Sequence, residues 1–136
     1  MILTFEDSEE EILNHIISYV GIGARAFQVA EIAKTNLNFN GLEIDITNRL
    51  VRKQRQEIDL TFIEFEVLYL LANNPGRVFS KEQIYDVVWK ESYSGDYNIV
   101  MSHIRNIREK IEDNPSKPIY IQTVWGVGYR FNKNML

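Results

Sequence analysis

The sequence contains no cysteine and no long apolar segment. The absence of cysteine excludes a disulfide framework and a thiolate zinc site, and a reducing cytoplasm is then the expected compartment. No apolar run approaches the roughly 20 residues that a membrane-spanning helix needs. The N-terminal stretch MILTFEDSEEE is acidic and lacks the basic region of a signal peptide. We therefore expect a cytoplasmic protein that has no membrane partner.

Histidine is scarce, and the common catalytic motifs are absent. The chain has 2 histidines, His15 and His103, which lie far apart in the sequence. It has no HExxH, GxSxG or P-loop pattern, and the short glycine stretches at 21–24 and 126–128 lack the strand–loop–helix context of a nucleotide-binding loop. We therefore predict that the protein is not an enzyme and has neither a cofactor nor a metal site.

Charge is unevenly distributed along the 136 residues, whose formal net charge is −4. Residues 1–34 have six acids and two bases, residues 35–96 have ten and seven, and residues 97–136 have three and six. The acidic total argues against nucleic acid as a partner, because DNA-binding domains tend to be basic. The basic excess at the C-terminal end nevertheless indicates an anionic partner there.

Two regions precede residue 60, a leader and a set of short strands. Residues 8–20 have the apolar stripe of an amphipathic helix, and we assign 1–34 as a helical leader that packs on its own domain or forms a dimer contact. From 36 to 60, apolar and polar residues alternate, as in short antiparallel strands with one buried face. The pair Asn40-Gly41 is a strong signal for a β-hairpin turn.

Three helices are predicted after residue 60, covering about 62–73, 81–90 and 98–112. Capping boxes start the first two helices at Thr61 and Ser80. The first helix is apolar nearly all round and is expected in the middle of the domain. The second is expected to bury Ile84, Val87 and Val88. The third has a narrow apolar seam, formed by Val100, Ile104, Ile107 and Ile111.

On the third helix, polar side chains lie on the side opposite to the apolar seam. An α-helix fits the major groove of B-DNA, where arginine pairs with guanine and asparagine with adenine. The side chains placed to contact base edges are Ser102, Arg105 and Asn106. His103 and Arg108 lie on the flanks and suit phosphates, which set the register without reading the sequence.

A solvated helix face is the alternative explanation of the same charges. Arg105 and Glu109 have the i,i+4 spacing of a stabilising ion pair, and so do Arg108 and Glu112. The helix pattern by itself leaves both explanations open.

Residues 119–131 predict two strands around a glycine-containing turn. Arg130 and Lys133 supply positive charge with which this hairpin can contact the DNA backbone. Tyr129 and Phe131 are expected to complete the hydrophobic core as well.

Three segments, LTFIEFEVLYLLANNPGRVFSKEQIYDVVW, NIVMSHIRNIREKIE and IQTVWGVGYRF, occur in order between Leu60 and Phe131. In this combination they resemble the C-terminal effector domain of OmpR/PhoB-type response regulators. The resemblance implies an α+β fold, a winged helix-turn-helix with an N-terminal four-stranded antiparallel sheet, three helices and a C-terminal β-hairpin wing. The domain would cover 35–136, and the leader 1–34 would correspond at most to a receiver remnant and a linker.

The resemblance also implies roles on double-stranded DNA. The helix 98–112 would be the recognition helix, with the base and phosphate contacts assigned above. Trp89 would pack against the DNA backbone, Thr123 would contact it from the wing, and the loop 91–97 would touch RNA polymerase. The wing tip consists of Trp125, Gly126, Val127 and Gly128. A homodimer on tandem repeats would fit the family.

Two features depart from the family pattern. Many members have an arginine at the position of Trp125 and use it to enter the minor groove. Since Trp125 has no charge, it would instead pack on a sugar or only anchor the wing. The phosphorylatable receiver domain is also missing, so we expect either a stand-alone regulator or a fragment of a longer response regulator.

The expected function is therefore that of a sequence-specific DNA-binding transcriptional regulator. The recognition helix would lie in the major groove, and the wing, 119–131, would lie on the backbone and minor groove. The alternative is a winged-helix module that binds protein and not DNA, which the acidic total and Glu109 favour.

Overall fold

The computed structural model describes residues 36–90 and 96–135, which form a four-stranded sheet, three helices and a C-terminal hairpin. The elements in chain order are β1 (Asn36–Phe39), β2 (Leu42–Asp45), β3 (Leu50–Lys53), β4 (Gln56–Ile58), α1 (Phe62–Ala72), α2 (Lys81–Trp89), α3 (Tyr97–Ile111), β5 (Ile121–Val124), β6 (Gly128–Phe131) and a 3-10 turn (Lys133–Met135). This order confirms the predicted α+β winged-helix fold. The predicted leader helix, 8–20, and most of the loop 91–97 lie outside the described residues.

The first four strands form one sheet in the order β1-β2-β3-β4, with antiparallel pairing. In the turn between β1 and β2, Asn40 and Gly41 have φ angles of 36° and 95°, as a type I′ hairpin turn requires. Leu42 and Ile44 are buried, whereas Glu43 between them is half-buried. This alternation confirms that one face of the sheet packs on the core.

Both predicted capping boxes are present. Thr61 Oγ1 accepts a hydrogen bond from the N–H of Glu64 at 3.2 Å, and the Glu64 carboxylate accepts one from the N–H of Thr61 at 3.0 Å. Ser80 and Gln83 make the same reciprocal pair at 3.1 and 2.9 Å. These bonds satisfy amide groups that have no partner within the helix, so α1 and α2 begin where the sequence predicts.

The buried side of α2 differs from the prediction. Ile84, Tyr85 and Val88 are buried, whereas Val87 is 52% exposed. Tyr85 and Val87 flank the line from Ile84 to Val88 on opposite sides, so helical periodicity does not distinguish them. Tertiary packing selects Tyr85, whose ring stacks on Trp89 with 4.8 Å between the centroids. The prediction of a buried Val87 is therefore wrong.

Arg49, in the turn between β2 and β3, joins the sheet to α1. Its guanidinium lies 4.5 Å from the ring centroid of Phe62 and 4.3 Å from that of Phe65. Its Nη1 also pairs with Glu66 at 2.6 Å. Phe62 is 66% exposed, whereas the other apolar side chains of α1 are buried or half-buried, and its ring contacts this cation.

The hydrophobic core combines residues from both ends of the described chain. The rings of Phe39 in β1 and Phe131 in β6 are 4.5 Å apart between centroids, so the first and last strands share one core. The largest fully buried side chains are Tyr120, Phe39, Phe131, Leu42, Ile44, Leu68, Leu71, Ile84, Ile104, Ile107, Ile111 and Ile121. Within the described ranges, no helix has the length and apolar character needed to cross a membrane.

The hairpin β5–β6, which is the wing, is fixed from two sides. Phe79 and Tyr129 exchange two backbone hydrogen bonds of 2.8 and 2.9 Å. A Cβ atom added at Gly128 would lie 2.0 Å from the carbonyl oxygen of Phe79, so glycine is required for this close approach. Just before β5, the hydroxyl of Tyr120 donates to the carbonyl of Asn40 at 2.8 Å. The position of the wing is thus set by both the helical part and the sheet.

Candidate nucleic-acid interface

One side of α3 is buried and the other faces outward. The seam predicted from the sequence is at most 1% exposed along its whole length: Val100, Ile104, Ile107 and Ile111. Arg105 is exposed, and Ser102 and Asn106 are half-buried. The three side chains predicted to contact bases therefore lie on the part of the helix that is not packed on the core.

Side chains stabilise both ends of α3. The carboxylate of Asp96 accepts a hydrogen bond from the N–H of Asn98 at 3.1 Å. Arg108 and Lys110 lie in the last turn, where the partial negative charge of the helix favours cations. These local interactions stabilise α3 along the whole length of its outward face.

Trp89 and His103 form one edge of the surface. Their rings meet edge to face, with 5.3 Å between the centroids and an interplanar angle of 76°. His103 Nδ1 lies 2.9 Å from the carbonyl oxygen of Ile99. Because a carbonyl can only accept, this Nδ1 carries the proton and Nε2 is the remaining ring nitrogen. The structure brings together the two residues that the sequence places at the end of α2 and on the flank of α3.

Arg108 connects α3 to the wing. Its Nε and Nη2 donate to the carbonyl oxygen of Ile121 at 3.3 and 2.9 Å, and Nη2 also donates to Thr123 Oγ1 at 2.8 Å. Burial lowers the pKa of Arg108, while Tyr129 and Glu112 act in the opposite direction. The sequence pattern did not indicate this contact, since its partners are 13 and 15 residues away.

Glu112, at the C-terminal end of α3, holds the start of β5. It is 5% exposed, and its carboxylate accepts hydrogen bonds from the N–H groups of Ile119, Tyr120 and Ile121 at 2.6 to 3.1 Å. A buried carboxylate is tolerated when such donors replace its water. Glu112 therefore acts together with Arg108 to fix the wing relative to α3.

Glu64 and Lys110 form an ion pair between α1 and α3. Lys110 Nζ donates to Glu64 Oε1 at 2.7 Å, and the same carboxylate caps α1. Burial raises the pKa of Glu64, but the hydrogen bonds from Lys110 and from the N–H of Thr61 outweigh it and leave the pKa below its ordinary value. The carboxylate is therefore a charged tether for the last turn of α3.

The ion-paired alternative for the outward face of α3 does not match the contacts. Arg108 and Glu112 do not pair with each other, because both side chains turn towards β5. Within the part of the chain that is described, Arg105 and Glu109 form no ion pair either. The predicted i,i+4 pairs are thus wrong.

The predicted wing residues divide into strand and tip. On the strands, Thr123 accepts the bond from Arg108, and Arg130 Nε donates to Gln122 Oε1 at 2.9 Å. At the tip, Trp125 is 89% exposed and Val127 is 56% exposed. The alternative in which Trp125 only anchors the wing is therefore wrong, because an anchoring ring would be covered.

Of the two glycines at the tip, Gly126 is required by the turn, whereas Gly128 is required by the close approach of Phe79. Gly126 has a φ of +79°, and the N–H of Val127 donates to the carbonyl of Val124 at 2.9 Å. A turn of this kind needs a positive φ at its third residue, which glycine adopts without strain. Among the residues placed by the structure, no cluster of His, Asp and Glu that could hold a metal ion is found.

Residues 55–131, which include the three helices and the wing, match the family described as "Transcriptional regulatory protein, C terminal". The chain is also similar to the uncharacterized transcriptional regulatory protein YcbL of Bacillus subtilis, with 48% identity over 97 residues, or 71% of this chain and 43% of that protein. The chain spans about half the length of the curated relatives it matches.

Two solved structures show the same architecture. The response regulator DrrB of Thermotoga maritima, described as an OmpR/PhoB homolog, is 33% identical with a TM-score of 0.69, and the match covers 82% of this chain and 53% of that one. The RstA DNA-binding domain of Klebsiella pneumoniae, solved in complex with the RstA box, is 28% identical with a TM-score of 0.68. That match covers 73% of this chain and 98% of the RstA domain.

Proposed function

The chain belongs to the OmpR/PhoB-type family of transcriptional regulators, and on that premise we propose that it binds double-stranded DNA sequence-specifically and regulates transcription. The members of this family are transcriptional regulators and not enzymes. The observation that carries the proposal is the outward face of α3, where exposed Arg105 and half-buried Asn106 lie opposite a fully buried seam. In this proposal α3 lies in the major groove, with the wing on the adjacent backbone and minor groove.

Base recognition is assigned to three side chains of α3. Arg105 presents a guanidinium that can donate two hydrogen bonds to O6 and N7 of guanine, and Asn106 can pair similarly with adenine. Ser102 lies one helical turn before Asn106, and its hydroxyl can donate or accept. Their position on the outward face of α3 supports this assignment, since base edges can be reached only from that face.

Trp89 and His103 are assigned to the DNA backbone. Because Nδ1 of His103 already donates to Ile99, the ring can donate to a phosphate only from Nε2, and only as the charged imidazolium. The indole of Trp89 is held between Tyr85 and His103 by ring contacts. It can therefore offer a rigid apolar edge to a deoxyribose.

Three more backbone contacts come from the region where α3 meets the wing. Arg108 uses Nε and Nη2 for β5, and within the described residues its Nη1 makes no hydrogen bond, so this nitrogen can donate to a phosphate. Thr123 accepts from Arg108, which leaves its own hydroxyl proton for a phosphate. Arg130 uses Nε for Gln122 and keeps its terminal nitrogens for the backbone. All three assignments thus combine a structural and a binding role.

Two further partners belong to the same proposal. The loop 91–97 follows α2 directly and is assigned to a contact with RNA polymerase. Two copies on tandem half-sites about one helical turn apart would place both recognition helices on the same side of the duplex. A homodimer on DNA is therefore the proposed bound state.

A protein-interaction module is the second candidate, since the net charge is −4 and Glu109 on α3 is exposed. Duplex affinity measured against salt distinguishes the two. If His103, Arg108 and Arg130 each contact a phosphate, they neutralise two or three phosphate charges. The logarithm of the affinity should then fall with the logarithm of the salt concentration, with a slope of about −2 to −3 per copy. Absence of any salt-dependent duplex binding would favour the protein-interaction module instead.

A further inference from the structure

One apolar side chain is exposed on the outward part of α3. Met101 is 48% exposed, whereas the other apolar side chains described on this helix are buried or half-buried. On a helical projection Met101 lies about 40° from Arg105, on the same side of the helix. Single exposed apolar residues are common on protein surfaces, so exposure alone indicates no function and the neighbours of Met101 have to be considered.

Met101 lines a surface groove together with two of the side chains assigned to bases. Ser102 and Arg105 contribute to this groove, and so does Tyr129 of the wing. The hydroxyl of Ser102 and the guanidinium of Arg105 can form hydrogen bonds, whereas the thioether of Met101 has no donor and is only a weak acceptor. Met101 therefore adds an apolar surface next to two side chains that are suited to the polar edges of bases.

The major groove of DNA offers one kind of apolar group to such a side chain. Guanine, adenine and cytosine present hydrogen-bond donors or acceptors there, whereas thymine presents an acceptor and its C5-methyl group. An apolar side chain packed on a donor or acceptor would leave that group without a partner, which is unfavourable. Methionine is unbranched and polarizable, so it adapts well to an irregular apolar contact. The chemistry of the groove therefore favours thymine as the base that Met101 contacts.

We propose that Met101 is a specificity-determining residue, whose side chain packs on the C5-methyl group of a thymine in the major groove. The inference rests on the proposed function, in which α3 lies in that groove. Met101 precedes Arg105 by one helical turn, or about 6 Å along the helix axis, and successive base pairs are about 3.4 Å apart. The thymine is therefore located within about two base pairs of the base that Arg105 contacts.

The experiment measures the affinity of the full chain for duplexes in which uracil replaces one thymine at a time. Uracil lacks the C5-methyl group and keeps the hydrogen-bonding edge of thymine. The starting duplex is the site that the wild type selects from a random pool. At one thymine of each half-site, the wild type should lose about fourfold in affinity, as expected for the loss of one buried methyl group. This thymine should lie within about two base pairs of the position at which Arg105→Ala loses its base preference.

Substitutions of Met101 identify the side chain that contacts the methyl group. Met101→Gln has a similar length but a polar end, and it should bind the thymine and uracil duplexes with equal affinity. Met101→Leu keeps an apolar side chain and should keep the preference for thymine. Val87→Ala is the matched control, because it shortens an apolar side chain of similar exposure, 52%, on α2. This control should lose as much affinity on the uracil duplex as the wild type does.

Two results would overturn the inference alone. In the first, the wild type binds its selected site, but uracil lowers the affinity at no thymine near the base that Arg105 contacts. In the second, Met101→Gln loses as much affinity with uracil as the wild type does, which would assign the methyl group to another side chain. Failure of the wild type to bind any duplex would overturn the proposed function together with the inference.

Discussion

Arg105 and Arg108 lie three residues apart on α3 but have different surroundings. Arg105 is exposed, whereas Arg108 is half-buried and donates three hydrogen bonds to β5. Burial lowers the pKa of Arg108 and also raises that of Tyr129, which lies beneath its guanidinium. The side chain of Arg105 is therefore free for the proposed contact with a base, while the side chain of Arg108 already joins α3 to the wing without DNA.

The structural role of Arg108 is tested by comparing Arg108→Lys with Arg108→Ala. Lysine keeps the charge but lacks the planar guanidinium that reaches Ile121 and Thr123 together. We expect both variants to lose about 1–3 kcal/mol of unfolding free energy, because the buried carbonyl of Ile121 loses its donor. Chemical denaturation of the DNA-free chain measures this loss.

Arg105→Ala is the control for this comparison, and it should unfold with the wild-type free energy, because Arg105 makes no ion pair within the described residues. A wild-type stability for Arg108→Lys would show that the positive charge alone matters. The hydrogen bonds of the Arg108 guanidinium to β5 would then not contribute to the unfolding free energy.

At the scale of elements, two buried carboxylates hold α3 in place. Glu64 joins it to α1 through Lys110, and Glu112 joins it to β5 through backbone amides. Both are about 5% exposed or less. The outward face of α3 is thus presented by a helix that is fixed at its C-terminal end from two directions.

The Glu64 tether predicts a component of acid unfolding. Its pKa is lowered in the folded state, so its stabilising contribution is complete above the ordinary value of 4.5 and is lost as pH falls through the lower folded value. Glu64→Gln keeps the shape of the side chain but cannot titrate. We expect the unfolding free energy of this variant to fall less steeply than that of the wild type between about pH 5 and pH 3.

Denaturant unfolding at each pH measures this effect, with Glu82→Gln as the control, because Glu82 is an exposed residue in the first turn of α2. The control should keep the wild-type slope. Equal slopes for the wild type and Glu64→Gln would contradict the assignment of Glu64 as a charged tether.

The elements themselves could be predicted from the sequence, whereas several of their contacts could not. Capping boxes and the apolar seam give the helices to within one residue, and alternation locates the strands between residues 36 and 60 without their individual ends, because these signals are local. The exposure of Val87 depends on which neighbour fills the space beside Ile84. The partners of Arg108, Glu112 and Glu64 lie on other elements, and helix periodicity has no information about them.

At the scale of the whole molecule, the placement of charge matters more than its sum. The net charge is −4, yet residues 97–136 have twice as many bases as acids, and they include α3 and the wing. Local potential, and not net charge, attracts a polyanion to a surface. The acidic composition therefore does not contradict the proposed DNA-binding face at the C-terminal end.

The most direct test is a binding-site selection from a random duplex pool with the wild type, Arg105→Ala and Arg52→Ala. Arg52 is a half-buried arginine of β3 whose guanidinium lies 3.8 Å from the carboxylate of Glu43 in β2, and its variant should select the wild-type consensus. Arg105→Ala should lose base preference at one position of each half-site and about 1–3 kcal/mol of binding free energy. An unchanged consensus and affinity for Arg105→Ala would contradict the account.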